Sequence, residues 1–446
     1  MPQGTGWPGG PSPADLPRGA RASSGYVSEP PVGRGEARAG PSAAAAETPV
    51  TWTKDVVVIG GCGHVGMPLA IAFADRGLRV GIYDISDAAV KQVNAAQLPF
   101  DEPGAAGPLA RAVASGRLVA STDPALVAEA ENVVVVIGTP VDEHLNPDPD
   151  AIPRALTDCA EHFVDGQLMV LRSTVFPGVT ALVERMLEKL GRVIDVAFCP
   201  ERIAEGKAMI ELFTLPQIVG AASPAAAERA ERLFRLLTDD IVHLKPTEAE
   251  LAKLFTNAWR YIKFATANQF FLIANDCDLD FERIRAAIIE DYPRAADLPA
   301  AGFAAGPCLF KDTMQLAAFN NNNFTLGNSA MLVNEGLPLY VVNRLEQRYD
   351  LASLTVGILG MSFKAGSDDT RSSLSYKLRR VLQFKAGGVL CTDPHVRTDP
   401  ALVSLETVLA QADLLLIATP HREYADLKTD KPVIDIWNLR GQGVRV

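Results

Sequence analysis

The sequence predicts an α/β protein in which two doubly wound units flank a helical middle with one long helix. Three observations carry this. Short β-branched runs alternate with helix-spaced segments in both halves of the chain, the pattern of parallel strands joined by crossover helices. The first run ends in a glycine-rich turn, and the second half echoes that arrangement. Between the halves, residues 247–274 contain neither Gly nor Pro.

The elements follow in order. Residues 55–59, all Val or Ile after Asp55, form a buried strand. A turn from Gly60 to Gly66 leads into residues 67–74, which have helical spacing. Residues 78–84 read as a second strand ending in Asp84, residues 132–137 as another before Thr139-Pro140, and residues 168–174 as a further one. The long helix over 247–274 has Thr247 and Glu250 spaced for a capping box. It is too apolar all round for a solvated arm, so it is expected to pack between domains or subunits. Strands at 354–359, 389–393 and 413–420 build the second unit. The echo is specific: Ile59-Gly60-Gly61 against Leu359-Gly360-Met361, Asp84 against Asp393, and Thr139-Pro140 against Thr419-Pro420. The second copy lacks the full three-glycine turn.

Composition limits what these units do. The chain has 446 residues, 48% hydrophobic and 21% charged, so most of it is expected to fold. Residues 1–50 are the exception: nine Pro and nine Gly leave too little apolar surface for a core, and four Arg against four acids exclude a basic arm. A net charge of −11 argues against nucleic acid or an anionic membrane as the main partner. The six cysteines form no C-x-x-C pair, which predicts a reducing cytoplasmic setting and no metal site. Of these, Cys159, Cys199, Cys277 and Cys391 read as small buried hydrophobes. No apolar run approaches the roughly 18 residues of a membrane helix.

Gly61-x-Gly63-x-x-Gly66 sits after a strand and before a helix, the context a dinucleotide-binding turn needs. Gly61 is expected to allow the tight turn, Gly63 the close approach of a pyrophosphate, and Gly66 helix–strand packing. Asp84 would accept from a ribose 2′-hydroxyl and repel a 2′-phosphate, which favours NAD over NADP. An ordinary structural turn is the alternative. The predicted organisation is a tail at 1–50, an NAD-binding Rossmann domain at 51–244, a central helical domain at 245–350, and a second Rossmann-like domain at 351–446.

Polar clusters follow the predicted strands: Gly138-Thr139-Pro140-Val141-Asp142, residues 172–178 beginning Arg172-Ser173-Thr174, and residues 198–208 containing Glu201 and Glu205. Further on come Lys253 to Asn257, residues 306–312 with Cys308, Lys311 and Asp312, and residues 362–373 with Phe363, Lys364 and Arg371. With these six motifs in this order, the chain from about residue 54 to 446 resembles the nucleotide-sugar 6-dehydrogenases, which include UDP-glucose and UDP-N-acetylmannosamine dehydrogenases. The resemblance implies oxidation of a sugar C6 alcohol to a carboxylate with two NAD per sugar, by a homodimer that holds the nucleotide sugar in its C-terminal domain.

The resemblance also implies roles. Cys308 is the nucleophile, forming a thiohemiacetal and then a thioester. Lys253 and Asn257 polarise the C6 oxygen, and Asp312 pairs with that lysine and with the catalytic water. Glu201 is a base for thioester hydrolysis, and Thr174 lies beside the water. The implied cofactor set is Gly61, Gly63, His64, Val65, Gly66, Asp84, Thr139, Thr174, Glu205 and Arg371. The implied substrate set is Glu201, Lys253, Asn257, Arg294, Phe363 and Lys364. A nearby ammonium such as Lys253 is expected to favour the Cys308 thiolate. Tyr292-Pro293-Arg294 resembles the N-acetylhexosamine branch, whereas Lys311-Asp312 resembles the glucose branch. Trp437 falls where many glucose enzymes carry an arginine that reaches the partner subunit's substrate. The expected substrate is UDP-glucose or dTDP-glucose, with a UDP-N-acetylhexosamine (the mannosamine or glucosamine sugar) as the alternative. A non-catalytic NAD-binding redox sensor is the alternative outside this class.

Overall fold

In the computed structural model, residues 51–446 are described except 140, 143, 145, 305 and 445. The tail predicted for residues 1–50 lies outside the described residues, as do Pro140 of the Thr-Pro echo and Ala305 of the loop before Cys308.

Apolar β-branched runs buried on both faces make the first sheet. Val56, Val57 and Val58 are wholly buried, as expected for strands covered by helices on each side. The strands are β1 (Lys54–Ile59), β2 (Val80–Tyr83), β3 (Leu118–Ser121), β4 (Ala130–Val135), β5 (Leu168–Leu171), β6 (Asp195–Phe198), β7 (Gln217–Ala221) and β8 (Ile241–Leu244). Their order is β3-β2-β1-β4-β5-β6-β7-β8. One pair departs from the predicted parallel arrangement: β6 and β7 run antiparallel, with Phe198 opposite Gly220. The chain between them returns from the same end of the sheet instead of crossing it. Residues 199–216 therefore stay at the carboxyl end of the strands, where ligands of such sheets collect.

The second sheet holds β9 (Thr355–Leu359), β10 (Gly388–Thr392), β11 (Leu414–Ile417) and β12 (Val433–Asp435), in the order β10-β9-β11-β12 and parallel throughout. In each sheet the first strand lies between strands that lead away in opposite directions, β1 between β2 and β4, β9 between β10 and β11. That switch point opens a crevice at the carboxyl ends.

The central helix spans Pro246–Asp276, 31 residues, or about 46 Å at 1.5 Å per residue. It starts at Pro246 because the missing N–H costs nothing in the first turn and Lys245 is extended. The Glu248 carboxylate accepts from the Lys245 N–H at 2.8 Å. The predicted pairing of Thr247 with Glu250 is thus not formed. Glu250 is buried and accepts from the Gly178 and Thr180 N–H groups at 2.7 and 2.9 Å and from the Thr180 hydroxyl at 2.6 Å, holding the start of the helix Val179–Lys189. Helices Leu309–Phe319 and Thr325–Arg348 pack along the central helix. The polar turn between them places Asn321 and Asn322 at φ 51° and 57°, a region asparagine tolerates. Cys159, Cys199 and Cys391 are buried, but Cys277 is exposed, because it follows the last turn of the central helix. Among the described residues no helix is long and apolar enough to cross a membrane.

Candidate active site

The glycine turn divides its tasks differently from the sequence expectation. Gly60 takes the left-handed conformation, φ 72°, and a Cβ there would lie 2.1 Å from the Val136 carbonyl oxygen. Gly61 is needed for packing, since a Cβ would meet Ile82 Cγ2 at 2.9 Å. At Gly66 a Cβ would lie 2.6 Å from Gly61 Cα, so this residue lets the helix Gly66–Asp75 sit on the turn. At Gly63 a Cβ would meet nothing closer than the Gly60 carbonyl oxygen at 4.0 Å. The protein itself leaves that space open. Val65 precedes the helix and supplies no side-chain cap, so the first N–H groups keep no side-chain acceptor. Asp84 accepts from the Cys62 N–H at 2.9 Å and the Ser86 N–H at 3.0 Å, which fixes the turn against the end of β2. His64 lies on Phe100 with ring centroids 3.9 Å apart, and its buried Nδ1 has no hydrogen-bond partner among the described residues. An open cradle at Gly63, an uncapped helix N-terminus and a carboxylate at the tip of β2 fit a dinucleotide.

The second cluster forms where the central helix meets the helix Leu309–Phe319. Cys308 lies at the N-terminus of that helix and is exposed, while Lys253, Asn257 and Asp312 beneath it are buried. The Asn257 amide donates to Asp312 Oδ2 at 2.5 Å. Lys311, not Lys253, is the lysine paired with Asp312, with Nζ 3.0 Å from Oδ1. That ammonium is not aligned for a hydrogen bond to Oδ1 and donates instead to the Thr139 hydroxyl at 3.1 Å. Thr139 in turn donates to the Thr174 carbonyl at 2.6 Å. The Cys308 thiol is reachable yet closely surrounded, and burial followed by the Asp312 charge pushes its pKa up. Lys253, Lys311 and Arg371 pull it down. The expected pull of Lys253 is present, but burial and Asp312 outweigh it.

Glu201 is buried, and both its oxygens are engaged. Oε2 accepts from Arg172 Nε at 2.9 Å, and Oε1 accepts from the Arg202 and Ile203 N–H groups at 2.7 and 2.9 Å. Arg172 was visible in the sequence only as the start of a polar cluster.

The C-terminal unit closes this site from the other side. Its loop over residues 361–373 reaches the first unit, where the Lys364 ammonium donates to the Glu205 carbonyl and the Ser367 hydroxyl to Glu205 Oε1 at 2.7 Å. Burial lowers the Lys364 pKa, against the opposing charges of Glu205 and Glu102. Phe363 covers Gly306, where a Cβ would lie 2.6 Å from its ring. Arg371 is held by Asp369 through its Nε at 2.9 Å. Trp437 covers Gly302 and donates from its indole N–H to the Ala418 carbonyl at 3.0 Å. Arg294 stands apart: it is exposed and donates to the Tyr292 hydroxyl at 2.9 Å. Sequence reasoning missed Lys311, Ser367 and Glu102, which accepts from the Gly206 and Ala208 N–H groups at 2.9 Å. Lys311 had a signal in its place beside Asp312, and Ser367 in its place within the polar cluster over residues 362–373.

A dinucleotide turn, a reachable cysteine over a buried lysine, amide and carboxylate, and a second nucleotide-type fold closing on them define an NAD-dependent nucleotide-sugar dehydrogenase. The chain belongs to the UDP-glucose/GDP-mannose dehydrogenase family: its NAD binding domain matches residues 54–238, its central domain residues 247–336 and its UDP binding domain residues 357–441. A UDP-N-acetyl-D-mannosamine dehydrogenase of Pyrococcus horikoshii is 32% identical over 87% of this chain and 93% of its own. The solved structure of a UDP-D-ManNAc dehydrogenase from the same species superposes with a TM-score of 0.80 at 29% identity, covering 86% of this chain and 96% of that one. A UDP-glucose dehydrogenase from Pyrobaculum islandicum gives 0.81 at 27% identity, covering 90% and 99%.

Proposed function

We propose that this protein oxidises the C6 alcohol of a UDP-N-acetylhexosamine, N-acetylmannosamine first, to the carboxylate in two steps on one enzyme. The reaction rests on one observation, Cys308 standing exposed above buried Lys253, Asn257 and Asp312. The sugar rests on the relatives, of which those from Pyrococcus horikoshii and Escherichia coli are UDP-N-acetyl-D-mannosamine dehydrogenases. This reverses the order expected from sequence, where UDP-glucose or dTDP-glucose came first. Trp437 adds support, since it fills its position by packing on Gly302 and leaves no arginine there.

Two NAD molecules, bound in turn, would take up the two hydrides, the first leaving the C6 alkoxide as the aldehyde. The Gly61–Gly66 turn would hold the diphosphate and Asp84 the ribose. Lys253 and Asn257 hold the C6 oxygen and stabilise the alkoxide that forms as its proton leaves. Cys308, once deprotonated, adds through sulfur to the C6 aldehyde, which keeps that intermediate from escaping. Loss of the second hydride leaves a thioester at Cys308. A water then attacks the thioester carbon and the thiolate leaves. Asp312 Oδ1, buried and without an aligned hydrogen bond, is the acceptor we assign to the water's proton. Thr174 connects to that carboxylate through its carbonyl, which accepts from the Thr139 hydroxyl that Lys311 holds. Glu201 is assigned first to holding Arg172, and serves as a base only if one of its oxygens is released. Arg371 adds positive charge beside Cys308. Arg294 can reach substrate only if its segment moves. We also propose a homodimer in the reducing cytoplasm, where Cys308 stays a free thiol.

The test is NADH formation from NAD with UDP-N-acetylmannosamine, UDP-N-acetylglucosamine, UDP-glucose and dTDP-glucose, each alone. Two NADH per UDP-N-acetylhexosamine is the expected result. Two NADH per glucose nucleotide would overturn the sugar assignment, and no turnover with any would favour a binding protein.

A further inference from the structure

We propose that His421 is a positioning residue that locks the loop over residues 361–373 onto the reaction site. The two nucleotide-type folds differ at one point. In the first, the glycine turn runs straight into the helix that begins at Gly66. In the second, the helix begins only at Leu374, and residues 361–373 leave the sheet as a loop. That loop carries Phe363 against Gly306, two residues before Cys308, and Lys364 and Ser367 onto Glu205. Something must tie it to its own sheet.

The tie is a wholly buried imidazole. His421 follows β11, and its side chain is 0% exposed. The Gly366 N–H donates to His421 Nδ1 at 3.2 Å. A backbone N–H can only donate, so Nδ1 must be the bare acceptor and Nε2 must carry the proton. Nε2 lies 3.0 Å from Asp393 Oδ2 and 3.1 Å from Ser362 Oγ. Ser362 spends its own proton on the Lys364 carbonyl at 2.8 Å, so it accepts from the imidazole. Asp393 also accepts from the Met361 and Ser362 N–H groups at 2.6 and 3.0 Å. One ring therefore joins the strand tip at Asp393, the turn at Ser362 and the far side of the loop at Gly366. The loop's outer residues touch the first unit, so its inner anchorage sets how Phe363 and Lys364 meet the substrate. The proposed function does not require His421, although the kinetic arm of the test rests on that function.

Two replacements separate the two ends of the ring. In His421→Asn the amide oxygen can occupy the Nδ1 position and keep the Gly366 bond. In His421→Gln the amide nitrogen can occupy the Nε2 position and keep the Asp393 bond, leaving the Gly366 N–H without its acceptor. Steady-state kinetics are read together with alkylation of Cys308 by iodoacetamide in the absence of sugar nucleotide, followed peptide by peptide by mass spectrometry. His421→Gln is expected to raise KM for the nucleotide sugar about tenfold, the order of one buried hydrogen bond, with KM for NAD within about twofold. It is also expected to speed Cys308 alkylation about fivefold as Phe363 leaves Gly306. His421→Asn is expected to stay near the wild type in both. If the glutamine variant does not fold, His421→Ala, which also leaves the Gly366 N–H without its acceptor, is expected to move both readouts in the direction given for His421→Gln, whereas Ser362→Ala, which keeps the Gly366 bond, is expected to stay with His421→Asn. Unchanged KM and alkylation in His421→Gln would overturn the proposal. An equal loss in His421→Gln and His421→Asn, with a matching fall in Tm, would overturn it by making the role purely structural. If the wild type turns over no nucleotide sugar, the assigned function fails while the alkylation comparison still decides the role of His421.

Discussion

At Cys308 opposing forces meet, and those that favour the thiol prevail. Burial and Asp312 favour the thiol, and three cations favour the thiolate. Because its pKa lies above the usual cysteine value, alkylation of Cys308 is expected to keep rising with pH beyond the point where an unperturbed cysteine peptide levels off. Asp312→Asn removes a raising charge and moves the profile to lower pH, whereas Lys253→Met moves it to higher pH. A profile unmoved by both would remove these charges from the site. Asp84→Asn keeps an oxygen for the Cys62 N–H, sets an NH2 against the Ser86 N–H and gives up the charge offered to the ribose, and is expected to weaken NAD about tenfold by titration calorimetry. Equal NAD affinity would remove Asp84 from the cofactor site. Cys308, Lys253, Asn257 and Asp312 were readable because each stands in a local motif. Glu102 was not, because its partner Gly206 lies 104 residues away and no local spacing announces such a contact. Ser367 met Glu205 across 162 residues for the same reason.

Among the elements, the glycine turn makes the sharpest contrast. A methyl at Gly66 collides with backbone at 2.6 Å, which side-chain rotation cannot relieve, whereas one at Gly63 meets nothing closer than 4.0 Å. Gly66→Ala is expected to lower stability by about 1–3 kcal/mol, the usual cost of overpacking, read as a fall in Tm without ligand. Gly63→Ala is expected to leave that Tm unchanged and to abolish the rise in Tm on adding NAD. The reverse pattern would mean that Gly63 is structural. Strands such as β1, β4 and β9 were legible because runs buried on both faces are continuously apolar. The reversal of β7 was not, because strand direction depends on where the preceding loop returns. The start of the central helix shifted to Pro246 because a Thr-x-x-Glu spacing fits a capping box wherever it occurs. Backbone geometry decides which carboxylate caps, and Glu250 was drawn to another helix.

At the scale of the whole molecule, the central helix poses the remaining physical question. Phe255, Trp259, Phe270 and Ile273 are 43–57% exposed, and at about 100° per residue they fall on one stripe. Leu332 and Leu339, a heptad apart on the helix Thr325–Arg348, are 68% and 44% exposed. Single exposed apolar residues need no explanation, but a stripe of four along one helix is a candidate association surface. A second copy of the chain fits it, because a two-fold axis brings like stripes together without needing a complementary partner. The wild type is therefore expected to show twice the 47.7 kDa chain mass by light scattering. Trp259→Glu combined with Ile273→Glu places charge in that seam and is expected to give the single-chain mass. Because folding and association are linked, the wild-type Tm should rise with protein concentration, and the double variant's Tm should not. A wild type at the single-chain mass, or a double variant still at twice it, would move the interface away from the central helix.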